Sequence, residues 1–521
     1  MGLLVCGYTP SRMIKITQTI KLSSYQILFL PFAFIPMLIH TPDWVKHAVF
    51  YQIFPDRFAR THRHLDDPVM AVPLEPWESP PTPFGYKGGD LWGVMERLDY
   101  LVDLGITAIY FTPIFQSACN HRYHTHDYYQ IDPLLGGNAA FVDLLEAAHQ
   151  REIKVVLDGV FNHCSRGFFF FNDILENGPN SPWLDWFKVE NWPLAAYDGA
   201  LPANYISWAN NRALPEFNHE NPAVREYIMR VGEYWVRQGI DGWRLDVPYE
   251  IETEGFWQEF RDRIKAINPD AYIVGEVWTD ARQWLDGTQF DGVMNYLFTG
   301  PTIAFVAGDR VRMELVEQPH YFPYPALDAP GYARKIEYLL KLYPWEIQLA
   351  QLNLLSSHDV ARIYSVVGED EASVVLSTLL LLTFPGAPSL YYGDEVGLLG
   401  ELDPDCRRTF PAEVHWHRNL LQFYKDLIAL RHRYPALRTG QYAVLYAEQN
   451  LYSFARTLEA ERVVVALNTG TTAAWLDKAK LSLEGASLQE EFTFQGATWD
   501  GEGLHLPPRS AVVMVERAQA T

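Results

Sequence analysis

Three carboxylates at the ends of β-rich runs are the residues most ready for chemistry in this chain. Asp246 lies in Asp241-Gly-Trp-Arg-Leu-Asp-Val-Pro-Tyr-Glu250, Glu276 in Val274-Gly-Glu-Val-Trp278, and Asp359 in Ser356-Ser-His-Asp359. Alternate residues of a strand share a face, so Arg244 and Asp246 would lie together with Gly242, and Trp243, Leu245 and Val247 opposite. A central parallel strand is normally apolar on both faces, and buried charges persist only when paired and hydrogen-bonded. A structural Arg–Asp pair is the competing reading of that stretch taken alone.

Cleavage of a glycosidic bond uses two carboxyl groups, one as nucleophile and one kept protonated as acid/base, about 5–5.5 Å apart when the anomeric configuration is retained. A neighbouring cation lowers a carboxyl pKa and an apolar setting raises it. The expectation is therefore an ionised Asp246 beside Arg244 and a neutral Glu276 between Gly275 and Val277. Other chemistries lack their residues. There is no H-E-x-x-H and no His/Cys cluster for a metal. Gly88-Gly89 and Gly136-Gly137 are isolated turns rather than a phosphate loop. No G-x-S-x-G occurs, and Ser357 beside His358 is no triad by adjacency alone.

The elements that must position these groups alternate regularly from Asp43. Short β-rich runs (Ala48–Ile53, Ile106–Phe111, Lys154–Val160, Gly242–Val247, Tyr272–Val277, Gly292–Tyr296, Leu352–Ser356 and Pro388–Tyr392) are separated by stretches with helical spacing, such as Asp90–Leu104, Asn138–Gln150, Pro222–Gln238 and Phe256–Ile267. Eight strands alternating with helices predict an α/β fold, a (β/α)8 TIM barrel. Polar groups gather at the carboxyl ends of four of the runs: Asp158 to His163, Arg244 and Asp246, Glu276, and Ser356 to Asp359. In barrels that face carries the active site. The expected division is a catalytic barrel over 43–434, with a subdomain over 164–221 inserted after the third strand because the gap exceeds ordinary loop length. A C-terminal antiparallel β domain follows over 435–521, where alternating runs such as Val463–Ala466 appear.

Composition narrows the partner. The 521 residues are 48% hydrophobic with a formal net charge of −22, which supports a large core and opposes nucleic acid. A neutral ligand fits, and the flat faces of 16 tryptophans and 29 tyrosines suit sugars. Cys6, Cys119, Cys164 and Cys406 are scattered and read as reduced, incidental thiols. They place the protein in the cytoplasm, with secretion the alternative left by the first 42 residues. That N-terminal extension has basic residues followed by an apolar run, Ile27 to Ile39, too short to span a bilayer. An atypical signal, an interfacial segment and a spurious extension are all open.

Asp158–His163, Gly242–Val247, Gly275–Trp278 and Ser357–Asp359 together resemble the four signature segments of the α-amylase superfamily of glycoside hydrolases. The resemblance runs from about Asp43 to the C-terminus. It implies a retaining enzyme acting on α-glucosidic bonds, with Asp246 as nucleophile, Glu276 as general acid/base and Asp359 as transition-state stabiliser. It also implies that Arg244 orients the nucleophile and that His163 and His358 hydrogen-bond the sugar. Tyr123, in His121-Arg-Tyr-His-Thr-His-Asp127, matches a tyrosine that stacks on that sugar, although His124 stands where a carboxylate is common. Asp403 and Arg407 match a sugar-binding pair after the eighth strand. Leu214-Pro-Glu-Phe-Asn218 resembles the marker of the neopullulanase, cyclomaltodextrinase and maltogenic amylase group, whereas Pro248-Tyr249-Glu250 departs from it.

The expected activity is hydrolysis of α-1,4 bonds in maltooligosaccharides, starch-type glucans or cyclodextrins. A glucanotransferase or isomerase on the same scaffold is the second enzyme reading, and a non-catalytic carbohydrate-binding relative the third. No required cofactor is expected, since a histidine common after the fourth-strand motif in calcium-dependent relatives is absent here. Calcium, which many relatives bind, would use Asn162 or a loop near Asp66, Asp67 and Asp90. Nothing in the sequence sets the oligomeric state.

Overall fold

The computed structural model describes residues 39–61, 63, 72–317, 325–481 and 487–517. The apolar run of the N-terminal extension lies outside them except for Ile39. Among the described residues no helix is long and apolar enough to cross a membrane.

The eight expected runs form one parallel sheet. Its strands are β1 (Phe50–Ile53), β2 (Ala108–Phe111), β3 (Lys154–Gly159), β4 (Gly242–Leu245), β5 (Tyr272–Gly275), β6 (Gly292–Val293), β7 (Leu352–Leu354) and β8 (Ala387–Tyr391). Neighbours follow chain order, β8 pairs with both β7 and β1, and a parallel bridge from Met294 to Leu352 joins β6 to β7. The sheet therefore closes on itself, which is the predicted barrel. Nearly every strand residue is buried, as expected of strands covered on both faces.

Two of the predicted helices have the predicted bounds, Pro222–Gln238 and Phe256–Ile267. The first is well marked in sequence. Asn221 caps it by accepting the Ala223 N–H, Pro222 opens it, and Gly239 closes it at φ 108, a conformation that suits glycine. The stretch Asp90–Leu104 forms two short helices, Leu91–Glu96 and Leu98–Leu104, because Arg97 leaves helical geometry at φ −100, ψ 1.

The face opposite the site is pinned by charge. Asp241, just before β4, accepts bonds from Lys154 Nζ at 2.9 Å, His149 Nε2 at 2.8 Å and the Val155 N–H at 2.9 Å. Burial alone would raise its pKa, but these bonds outweigh burial and hold it below the usual carboxylate value. A depressed folded pKa stabilises the fold above the unfolded pKa of ~3.9 and ceases to do so as pH falls through the folded value. Asp241→Asn is expected to cost about 2 kcal/mol in denaturant unfolding at pH 7, with the difference from wild type shrinking below pH 4.

Between β3 and the helix at Pro222, the inserted segment holds one regular helix, Phe169–Asn177, and is otherwise tied by isolated bridges. Leu214–Asn218 runs back along the end of β3: His163 bridges Glu216, Cys164 N–H bonds to Pro215 O, and Phe217 N–H bonds to Asn162 O. The marker segment thus ties the insertion to the strand end that carries His163.

The C-terminal part holds a five-stranded antiparallel sheet and a three-stranded one. Its central strand, Glu461–Asn468, is buried on both faces from Val463 onward. Period-two alternation divides it: Val463, Val465 and Leu467 join the main core, while Val464 and Ala466 pack with Leu476, Leu504 and Leu506 of the smaller sheet. Arg456, fully buried, donates to Thr383 O and Leu437 O and so joins this sheet to the barrel helices.

Candidate active site

Arg244 points from β4 into a cluster of carboxyl groups at the carboxyl end of the barrel. Gly242, two residues earlier, lets β4 approach β5, since a Cβ there would meet Tyr272 O at 2.4 Å. The guanidinium Nη1 donates to Asp158 Oδ1 and to Asp246 Oδ1, each at 2.9 Å, and Nη2 stands 2.9 Å from Glu276 Oε2. The last contact is an ion pair without an aligned hydrogen bond. Three carboxyl groups from three adjacent strands therefore share one fixed cation.

The strand ends sooner than the alternation suggests. Leu245 is its last residue, and Val247 adopts φ 35, ψ 50 rather than continuing on the face of Trp243. Positive φ is costly for a β-branched residue, and the proline that follows disfavours helical geometry there as well. The turn has a definite result: the Val247 N–H points at Glu276 Oε2, 3.1 Å away. Glu276 accepts a second bond from Trp278 Nε1 at 3.2 Å, and the Trp278 ring stacks on Tyr296 with centroids 3.7 Å apart.

The expected split of the two carboxyl groups needs correction. Burial raises the pKa of Asp246, of Glu276 and of Asp158, the last to about 6, and Arg244 opposes the shift at all three. The cation does not single out Asp246, because it also touches Glu276. At Glu276 burial outweighs the bonds from Val247 and Trp278, so its pKa is raised as its apolar neighbours predict, whereas Asp246 is raised against the expectation that Arg244 would lower it. Groups coupled this closely titrate as a set. All three carboxyl groups are therefore pushed above the ordinary carboxylate range by burial.

His358 lies beside this cluster with a defined tautomer. The Gln52 side-chain amide donates to its Nδ1 at 2.8 Å, so the proton of the neutral ring sits on Nε2. There it faces the Tyr123 oxygen and, at 3.1 Å, Asp359 Oδ2. Burial, then the charges of Arg407 and Arg244, keep the imidazole neutral by lowering its pKa well below the usual value. Tyr123 donates to Asp158 Oδ2 at 3.0 Å, and its ring lies parallel to that of His358.

Arg407 carries the eighth-strand loop into the same place. It donates to His358 O at 2.9 Å, pairs with Asp403 Oδ1 at 3.0 Å and lies 3.5 Å from Asp359 Oδ1. Asp359 is partly exposed, and burial raises its pKa against the opposing charges of Arg407 and Arg244. His163 stacks on Trp208 of the insertion with centroids 5.2 Å apart. Its Nε2 is buried without a hydrogen-bond partner, and burial lowers its pKa to about 3. A buried polar atom left unpaired is costly, and a ligand hydroxyl would satisfy it.

All nine sequence candidates thus lie on the carboxyl face of the barrel. Tyr123, Arg244, Asp246, Glu276, His358, Asp359, Asp403 and Arg407 are linked through the contacts above, and His163 stands at the neighbouring end of β3. Sequence reasoning gave no site role to Asp158, Tyr110 or Gln52. Asp158 is the shared acceptor of Arg244, Tyr110 and Tyr123. Gln52 carried a signal, being a polar residue inside the apolar run of β1.

Donor sets for a metal are few. Asn162 Oδ1 is buried and unpaired, but calcium takes six to eight oxygens, and among the described residues no group of three carboxylate, imidazole or thiol donors includes a neighbour of Asn162. Asp90 is engaged by Thr61 and the Gly93 N–H, while Asp66 and Asp67 lie outside the described residues. The expectation of no His/Cys cluster is overturned elsewhere. Cys119, His121 and His124 bring one donor atom each within 4.8 Å of one another.

A closed parallel barrel with paired carboxyl groups at its carboxyl face suits the cleavage of glycosidic bonds. Residues 52–413 match the alpha-amylase catalytic domain, and the chain belongs to that family. It is 44% identical over 434 residues to neopullulanase 2 of Thermoactinomyces vulgaris, covering 82% of this chain and 70% of that protein. It is 41% identical over 457 residues to a cyclomaltodextrinase of Geobacillus thermopakistaniensis, covering 87% and 74%. The solved structure of the Nostoc punctiforme debranching enzyme is 65% identical, covers 92% of this chain and 100% of that one, and superposes with a TM-score of 0.85.

Proposed function

We propose that this protein hydrolyses α-1,4-glucosidic bonds of maltooligosaccharides, starch-type glucans or cyclodextrins with retention of configuration. One observation carries the reading: Asp246 and Glu276, each just past the end of one of two adjacent strands, contact the two terminal nitrogens of one buried arginine. Asp246 attacks the anomeric carbon and forms a glycosyl–enzyme ester while Glu276 gives its proton to the departing oxygen. Water, deprotonated by Glu276, then releases the sugar. Once Asp246 is committed to the sugar its charge is spent, and the proton needed for the first step lies with Glu276. Asp359, held between Arg407 and His358, stabilises positive charge developing on the ring. No cofactor enters these steps. His163, His358, Tyr123, Asp403 and Arg407 bind the sugar.

His163→Ala is expected to raise KM on maltotriose about tenfold with a smaller change in kcat, since it removes a binding contact held before and during reaction. Steady-state kinetics check it.

A second linkage is favoured by one finding, the 65% identity to a structure described as a debranching enzyme. Under that reading the same residues cleave α-1,6 bonds at branch points. Pullulan separates the two, because it consists of maltotriosyl units joined by α-1,6 bonds. Release of panose marks α-1,4 cleavage and release of maltotriose marks α-1,6 cleavage. With maltotriose as substrate, products longer than three glucose units would show transfer to a sugar acceptor in place of hydrolysis. The free thiols of Cys119, Cys164 and Cys406 support a cytoplasmic setting.

A further inference from the structure

The geometry points to a binding site for a borderline-soft divalent ion of the zinc class at Cys119, His121 and His124, on the loop that carries Tyr123. The three residues are partly buried, and one donor atom of each lies within 4.8 Å of the others. Cys119 Sγ is 3.5 Å from His121 Nδ1. A tetrahedral zinc ion with sulfur at ~2.3 Å and nitrogen at ~2.0–2.1 Å sets those two ligands about 3.6 Å apart. Thiolate and imidazole are the donors such ions select. An S–H donated to the imidazole would give the same distance, so occupancy must be measured.

The loop is shaped before any ion arrives. Between the first two ligands and the third, Arg122 adopts φ 63. It is held there by Asp132 Oδ2 at 2.9 Å and by Asn120 O at 2.6 Å. Ser117 Oγ fixes the far side by donating to His124 O at 2.8 Å. The imidazoles offer nitrogen lone pairs, of which His121 Nδ1 is met, apart from Cys119 Sγ, only by the long Tyr123 N–H contact at 3.3 Å. The Cys119 thiol releases its proton to solvent when the metal–sulfur bond forms. Three protein ligands leave a fourth position for water.

Occupancy bears on the proposed sugar site, and that consequence rests on the assignment of Tyr123 above. The Tyr123 N–H makes a long contact, 3.3 Å, to His121 Nδ1, the lone pair an ion would take. Binding displaces that N–H and shifts Tyr123, whose hydroxyl touches Asp158 and His358. The ion therefore inhibits.

Titration of the full chain with Co2+ tests the site directly, because a thiolate ligand gives a sulfur-to-cobalt charge-transfer band. The expected result is a one-to-one band that Zn2+ displaces. Cys119→Ser and His124→Gln should each abolish it and weaken Zn2+ binding, measured calorimetrically, by more than the about 10–100-fold that loss of an outer partner costs. Cys119→Ser, nearly isosteric, should keep wild-type activity without metal and escape Zn2+ inhibition. No charge-transfer band, or one unchanged in Cys119→Ser, overturns the site. A band that forms while kcat and KM on maltotriose stay unchanged overturns the link to Tyr123. Neither outcome touches the assignment of Asp246 and Glu276.

Discussion

Asp246→Asn loses kcat by on the order of 10⁴- to 10⁶-fold, on maltotriose and on α-glucosyl fluoride alike, with the fold and KM little changed. Asparagine keeps the shape and can still accept from Arg244 Nη1, now 2.9 Å from Asp246 Oδ1, but it cannot form the ester. Glu276→Gln behaves differently. It loses about 10²- to 10⁴-fold on maltotriose, where the leaving oxygen needs a proton, and far less on the fluoride, where it does not. The contrast between substrates separates nucleophile from acid, which a single activity loss would not. Stopped assays on both substrates with both variants check it. Equal losses on both substrates for Glu276→Gln would remove the acid role.

Arg244→Met carries the second large effect, on stability as well as rate. The guanidinium is fully buried and is the cation common to Asp158, Asp246 and Glu276. Removing one partner of a buried charge set costs about 3–5 kcal/mol, because the remaining charges lose their compensation. The sign with pH follows from the raised carboxyl pKa values. A group with a raised folded pKa supports the fold below its unfolded pKa, and that support is lost as pH rises through the folded value. Without Arg244 those pKa values rise further, so the deficit in Arg244→Met is larger at pH 8 than at pH 5 in chemical denaturation. The acid limb of kcat/KM, set in the wild type above the ordinary carboxylate range, moves to still higher pH. A deficit independent of pH would show that Arg244 acts by packing alone.

How much of this was legible in the residues depends on the kind of contact. The barrel was, since strand and helix periods are local and Pro222 with Asn221 and Gly239 mark a helix outright. The carboxyl-face clustering was also legible, because a charged residue at the end of an apolar run is visible without coordinates. Four things were not. Val247 reads as a strand residue by propensity, and only the acceptor at Glu276 Oε2, from another strand, accounts for its turned N–H. Asp158 was visible as an acid, but its sharing of Arg244 requires the pairing of β3 with β4 in register. Cys119, His121 and His124 gather because Arg122 takes a positive φ held by Asp132, which spacing does not reveal. The contact of Arg244 with Glu276 as well as Asp246 was likewise hidden, and burial raises both carboxyl groups where a lowered Asp246 was expected.

The central claim is that Asp246 becomes covalently linked to the sugar, and trapping tests it most directly. Glu276→Gln is incubated with a fluorinated α-glucosyl fluoride that forms the ester but hydrolyses slowly, then digested and sequenced by mass spectrometry. The account predicts one hexosyl adduct, on the peptide containing Asp246. An adduct on another carboxylate, or none together with a β-configured first product by NMR, would contradict it.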